Sequence, residues 1–161
     1  MAFLQKMQIK KIDKMQPPEL EQFIQSTEDE LLREHALSRM SQEQLARCLY
    51  FLRDASLRDA IFSKTQDPLA LYLIVKNVEN KETSDRALSL LQDQNLLADI
   101  VIKGQSEKWY QSISGEAQQQ AVRLAAANKI TEQSLLQTIA AKVFDKTILG
   151  CVVPRISEGA K

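Results

Sequence analysis

Histidine is the side chain that most readily moves a proton near neutral pH, and this chain has one, His35. It lies between Glu34 and Ala36 with no second histidine or cysteine at a ligand spacing, so it reads as a surface or packing residue. Glu28, Asp29 and Glu30 form a dense carboxylate run. They fall where a helix begins, and negative charge in a first turn complements the helix dipole without any catalytic role. Cys48 and Cys151 are isolated, with no CxxC pair, which implies neither a disulfide framework nor a zinc site. Cys48 follows Leu45 by three residues and so belongs on a buried helix face. There is no Gly-rich phosphate loop, HExxH or GxSxG. No catalytic residue, cofactor or metal is therefore expected, and no small-molecule substrate.

The basic residues offer binding chemistry instead. Arg33, Arg58, Arg86 and Arg123 each precede an alanine by one to three places. As a ladder they would contact phosphates or an acidic peptide; as internal links they would bond acids such as Asp54, Asp59 and Asp85. Lys76, Lys103 and Lys142 each follow a leucine by seven residues, and Arg53 follows Leu45 by eight. Near a helix C-terminus a cation is favoured by the dipole, and the same residues, with Arg47, would also line a basic edge. Trp109-Tyr110 contains the one tryptophan. It is either a binding anchor or a plug between two spaced repeats.

The elements that position these residues follow from a repeated phrase. Ala36–Leu45, Ala60–Leu69, Ala87–Leu96 and Ala126–Leu135 each place an alanine nine residues before a leucine. Leu20 marks a weaker first copy, so the steps between markers are 25, 24, 27 and 39. Such a period denotes stacked supersecondary units rather than one closed globule. Each copy predicts two helices, A and B, with a capped turn between them. Thr27 with Glu30, and Ser41 with Gln44, read as capping boxes. Asp67-Pro68 is an N-cap followed by proline. Asp93 or Asn95 opens a helix that Gly104 ends, and Thr131 opens the last. The first helix A places Leu31, Leu32, Ala36 and Met40 on one side; its helix B carries Leu45, Cys48, Leu49 and Leu52. The marker alanines permit close helix approach. Residues 1–150 form one repeat domain interrupted by an insertion at 104–116. Ile148, Leu149, Val152 and Val153 need a cover, and 151–161 is expected to be a flexible tail.

The charge balance is 21 basic against 21 acidic residues in 161, so no global field draws nucleic acid or lipid. Lys6, Lys10, Lys11 and Lys14 face only Asp13, whereas Glu19, Glu21, Glu28, Asp29, Glu30 and Glu34 follow with only Arg33 against them. This predicts a basic first helix beside an acidic second one. No apolar run approaches a membrane span and no secretory signal is present. A cytoplasmic location without a membrane partner is the expectation.

The phrases Val122–Leu136 and Arg86–Ala98 resemble HEAT-like repeats, in particular those at the front of large bacterial proteins that carry a helical module of unknown function. The resemblance covers about residues 15–144; Lys64 departs from it where an apolar residue stands in the other turns. It implies a right-handed α-solenoid, supplies no catalytic residues, and suggests a segment of a longer chain. The expected fold is thus all-α, a HEAT-like solenoid of four to five stacked antiparallel helix pairs. The expected function is a non-catalytic scaffold for another protein or for the remainder of its own chain. The contacts would be Arg47, Arg53, Lys76, Lys103 and Lys142 on the helix B surface, with Trp109 in the insertion. The alternative is a solenoid that tracks nucleic-acid phosphate along a basic edge. An enzyme of the HEAT-like glycosylase kind would need a carboxylate and aromatics in one pocket, and the tryptophan has only Glu107 near it in sequence.

Overall fold

The computed structural model describes residues 2–105 and 115–157. These form eleven α-helices and, among the described residues, no strand. In chain order they are α1 (Phe3–Ile12), α2 (Pro17–Ser26), α3 (Glu30–Ser38), α4 (Gln42–Cys48), α5 (Ala55–Ser63), α6 (Pro68–Asn77), α7 (Lys81–Leu90), α8 (Gln94–Lys103), α9 (Gly115–Lys129), α10 (Gln133–Lys142) and α11 (Lys146–Val152), followed by a 3-10 turn at Val153–Arg155.

Short polar side chains fix where most helices begin. Asp29, Ser41, Asp54, Asp67, Asn80, Asp93 and Asp145 each accept hydrogen bonds from first-turn amides. Those amides have no intrahelical partner, and each cap stabilises its helix by about 1 kcal/mol. Ser41 and Gln44 form the expected capping box, Asp67 precedes Pro68, and Gly104 ends α8. Two caps differ from expectation. Asp29, not Thr27, opens α3, because Thr27 still closes α2 and its hydroxyl accepts from the Asp29 amide. Glu132, not Thr131, precedes α10.

Counting from the cap corrects the repeat register. The fourth residue after each cap is Leu20, Leu45, Leu71, Leu97 and Leu136, each at most 4% exposed. The steps become 25, 26, 26 and 39. Leu69, a marker in the sequence reading, is 54% exposed, and Leu96 and Leu135 are half-buried. Helix A of the same copy slips by one residue: Ile61, not Ala60, fills the buried place held elsewhere by Ala36, Ala87 and Ala126. Leu31 also faces outward, and Leu37 is buried beside Ala36.

The even-numbered helices pack in series, α4 on α6, α6 on α8 and α8 on α10. Among the odd ones α1 packs on α3, α7 on α9 and α9 on α11, and successive helices such as α2 and α3, α6 and α7, and α8 and α9 also meet. One apolar core runs continuously from Ile12 to Val152. α4 is shorter than its counterparts and stops at Cys48, which leaves Leu52 in the connection to α5. The expected flexible tail from Cys151 is corrected as far as Ser157. Cys151 and Val152 belong to α11, Ile148 and Val152 are fully buried against the core, and Arg155 is tied to backbone carbonyls of Ala127 and Ile130. Among the described residues no helix is long and apolar enough to cross a membrane.

Candidate interaction surface

Three residues before the buried small position of each helix A stand Arg33, Arg58, Ser84 and Arg123. Each donates to a carbonyl at or just beyond the end of the preceding helix B. Arg33 reaches Thr27, Arg58 reaches Leu52 (3.2 Å) and Arg53, Ser84 reaches Val75 (3.3 Å), and Arg123 Nε reaches Val101 (2.9 Å). Carbonyls at helix ends lack intrahelical donors, and these side chains supply them. The arginines therefore do not form a surface ladder. They link neighbours, as one sequence reading held, but mainly through carbonyls rather than through Asp54, Asp59 and Asp85. Arg86 is the exception: two residues out of register, it pairs with Asp59 and lies 4.5 Å from the Phe62 ring centre.

Arg123 is 5% exposed and also lies 3.6 Å from Asp145. Burial pulls its guanidinium below the ordinary value, and Asp145 opposes that pull. Burial alone would raise the Asp145 carboxyl, but amides of Ile148 and Thr147, the Gln120 side chain and Arg123 outweigh it and hold the carboxyl low.

A second set of links uses glutamine. Gln42, Gln94 and Gln133 each occupy the first position of a helix B. Gln42 donates to Lys64 O (2.9 Å) and accepts from the amides of Gln66 and Asp67 (2.8 and 3.1 Å). Gln94 donates to Lys129 O (3.2 Å) and accepts from Thr131 and Glu132 (2.7 and 3.4 Å). Gln133 donates to Arg155 O (3.2 Å) and accepts from Ser157 (2.8 Å). One carboxamide thus holds the next turn at both a carbonyl and an amide. Sequence reasoning missed these clamps, although a glutamine directly after three helix B caps was their visible signal. Basic side chains add backward links: Arg39 to Asp13 O, Lys64 to Glu34, Arg86 to Asp59, Lys129 to carbonyls of Leu88 and Ser89, and Arg155 to α9. His35 belongs here, its Nε2 2.8 Å from Asp13.

The expected contact residues separate into paired and open groups. Arg47 pairs with Glu43 at 2.8 Å on α4. Lys103 on α8 pairs with Asp99 at 2.9 Å, the Tyr72 hydroxyl donates to Asp99, and the Lys76 ammonium stands 5.3 Å from the Tyr72 ring centre. α6 and α8 therefore bring Lys76, Tyr72, Asp99 and Lys103 into one polar cluster. Lys142 is exposed at the end of α10. Arg53 stands between two open grooves, one bounded by Tyr50, Phe51, Arg58 and Glu79, the other by Arg33, Asp54 and Ser56. Phe51 beside it is 77% exposed. Trp109 and Tyr110 lie outside the described residues.

Burial first, and Glu21 second, push the Cys48 thiol up to about 12, which leaves it a packed, protonated thiol. Cys151 donates to Asn128 Oδ1 at 2.9 Å. Among the described residues no three His, Cys, Asp or Glu side chains gather at a metal spacing. No family model matches the chain, and no curated protein or solved structure was found to match it.

Proposed function

We propose that the chain is a non-catalytic scaffold in which four to five helix pairs stack as a HEAT-like solenoid and present the helix B face to another protein. The recurring glutamine clamp carries this reading. Matching carboxamide contacts are made across 22, 35 and 22 residues by Gln42, Gln94 and Gln133, so three of the units hold the turn that follows in a similar way. A stack held by neighbour-to-neighbour links offers a long, fixed surface. On this reading α4, α6, α8 and α10, which pack in series, line that surface, and Arg47, Lys76, Lys103 and Lys142, with Arg53 in the α4–α5 connection, are its contacts.

A protein partner suits the chemistry better than a phosphate backbone does. Glu43 and Asp99 already pair Arg47 and Lys103, which breaks the continuous positive stripe that phosphate tracking needs. The exposed Phe51 instead provides the aromatic contact common at protein interfaces. The same reading places the chain in the cytoplasm, where Cys48 and Cys151 stay reduced.

The test is affinity capture from a lysate of the source cell, with nuclease and at rising salt, using the intact chain and the Lys76→Glu/Lys103→Glu variant. A protein retained through nuclease and lost by the variant supports the reading. Capture that disappears with nuclease, or that the double substitution leaves unchanged, sinks it.

A further inference from the structure

α1 is held on one side and open on the other. Ile12 is buried, Ile9 is half-buried against the core, and Asp13 joins His35 and Arg39, so this side of the helix sits on α3. Phe3, Leu4 and Met7 are 76%, 72% and 56% exposed. At the α-helical rotation they share an arc of about 100° with Lys11, and Lys10 borders it. Lys6 lies one step further round. Among the described residues Lys6, Lys10, Lys11 and Lys14 make no ion pair, because the nearby Asp13 carboxylate is engaged by His35 and Arg39. Glu19 shares a groove with Lys11 and Lys14 and partly offsets them. Phe3, Leu4 and Met7 do not line that groove. They project from the helix surface.

We propose that this face of α1 docks the protein on an anionic lipid bilayer, with Phe3, Leu4 and Met7 entering the headgroup boundary and Lys6, Lys10 and Lys11 contacting lipid phosphates. Projecting apolar side chains suit a soft phase that closes around them, and lysines bordering the apolar arc are the arrangement that holds a helix flat in an anionic interface. The contact is superficial: α1 has 10 residues, far short of a span. It departs from the sequence expectation of no membrane partner, which rested on the chain's zero net charge and on the absence of a spanning or targeting segment. It is also independent of the helix B surface, because α1 packs on α3.

The experiment is co-sedimentation of the full chain with phosphatidylglycerol–phosphatidylcholine vesicles and with phosphatidylcholine vesicles alone, at low and high salt. Binding is expected to the anionic vesicles only and to weaken with salt, since surface charges are screened. Lys6→Gln with Lys10→Gln should lower the partition about 25-fold, roughly fivefold for each lysine near the surface. Phe3→Ser with Met7→Ser should also reduce it, while Leu90→Ser, an exposed leucine on α7, should leave it unchanged. Unfolding midpoints of all variants should match, because every substituted side chain is exposed. Equal binding to neutral vesicles, no sedimentation, or insensitivity to the α1 substitutions overturns the proposal. So does loss of concentration-dependent self-association in Phe3→Ser/Met7→Ser without vesicle binding, which would make the face a contact between copies of this chain.

Discussion

The turn before α6 and the turn before α10 are held by the same clamp, yet the chain between clamp and turn differs in length by 13 residues. Gln42 reaches Lys64, and Gln94 reaches Lys129, with the same pattern of one carbonyl and two amides. The extra residues are shared among a longer α8, a longer connection after it and a longer α9, and the turn after α9 stays intact. The two regions part company at the arginine position. Arg58 is half-buried and bonded to two carbonyls of an irregular connection. Arg123 is almost fully enclosed, bonded to Val101 O and set against Asp145. The same position is thus a surface tie in one unit and a buried ion contact in the other.

The largest expected effect lies in that contrast. Arg123→Met strands a buried carbonyl and leaves Asp145 without its cation, a loss of about 3 kcal/mol. Arg58→Met removes bonds at a wetter site and should cost about 1 kcal/mol. Denaturant midpoints measure both, and equal losses would erase the distinction. Acid gives an independent reading. Asp145 is held below its ordinary value, so its contribution is fully present above the ordinary carboxylate range near about pH 4. It is lost as pH falls through the lower folded value. Arg123→Met should flatten the acid limb of the stability profile only in part, because the amides of Ile148 and Thr147 and the Gln120 side chain still hold the carboxyl low, and Arg58→Met should not change it.

A glycine pair sharpens the contrast next. A Cβ on Gly104 would lie 2.7 Å from both Arg123 Cδ and Ile100 O. Gly104→Ala should therefore cost about 2 kcal/mol through forced displacement of that arginine and the backbone beside it. Gly150 has nothing within 4 Å of its Cβ position and lies inside α11. Gly150→Ala should stabilise by about 0.5–1 kcal/mol through helix propensity. Thermal unfolding of the two single variants checks the sign, and a loss at both glycines would mean that crowding by Arg123 is not the cause.

Helical content and most caps were legible because each is a local signal: Ser41 with Gln44, Asp67 before Pro68, Gly104 after α8. The register slipped by two residues at Leu69 and by one at Ala60 because sequence spacing cannot distinguish Leu69 from Leu71 until the cap fixes the helix phase. The arginines were noticed and the Arg86–Asp59 pair was among the acceptors expected, but the carbonyl acceptors of Arg33, Arg58 and Arg123 were not, since backbone carbonyls have no letter in a sequence. The partners of Gln42 and Gln94 were hidden for a similar reason, since they lie 22 and 35 residues on, although the glutamine after the cap was itself in view. The expected contact residues Arg47 and Lys103 were legible as exposed cations, but their pairing with Glu43 and Asp99 depended on rotamers. The exposed face of α1 looked like a solvated charge run until Ile9 and Ile12 showed which side is anchored.

The smallest expected effect tests whether the clamp is a transferable part. α6 begins with Pro68 where α4 and α8 begin with glutamine. By equivalence with Gln42, a glutamine at 68 would donate to Leu90 O and accept from the amides of Gln92 and Asp93. Those bonds should contribute about 1 kcal/mol. Removing the proline frees the unfolded chain and costs about 0.4–1 kcal/mol. The two nearly cancel, so Pro68→Gln should shift the denaturation midpoint hardly at all. The gain should show in hydrogen exchange at Gln92 and Asp93, whose amides should slow toward the rates of Gln66 and Asp67. Adding Gln42→Leu separates the terms, since it should slow nothing at 92–93 and speed exchange only at 66–67, with a loss of about 1 kcal/mol. If Pro68→Gln leaves the 92–93 amides fast, the clamp depends on the particular turns after α5 and α9 rather than on the glutamine itself.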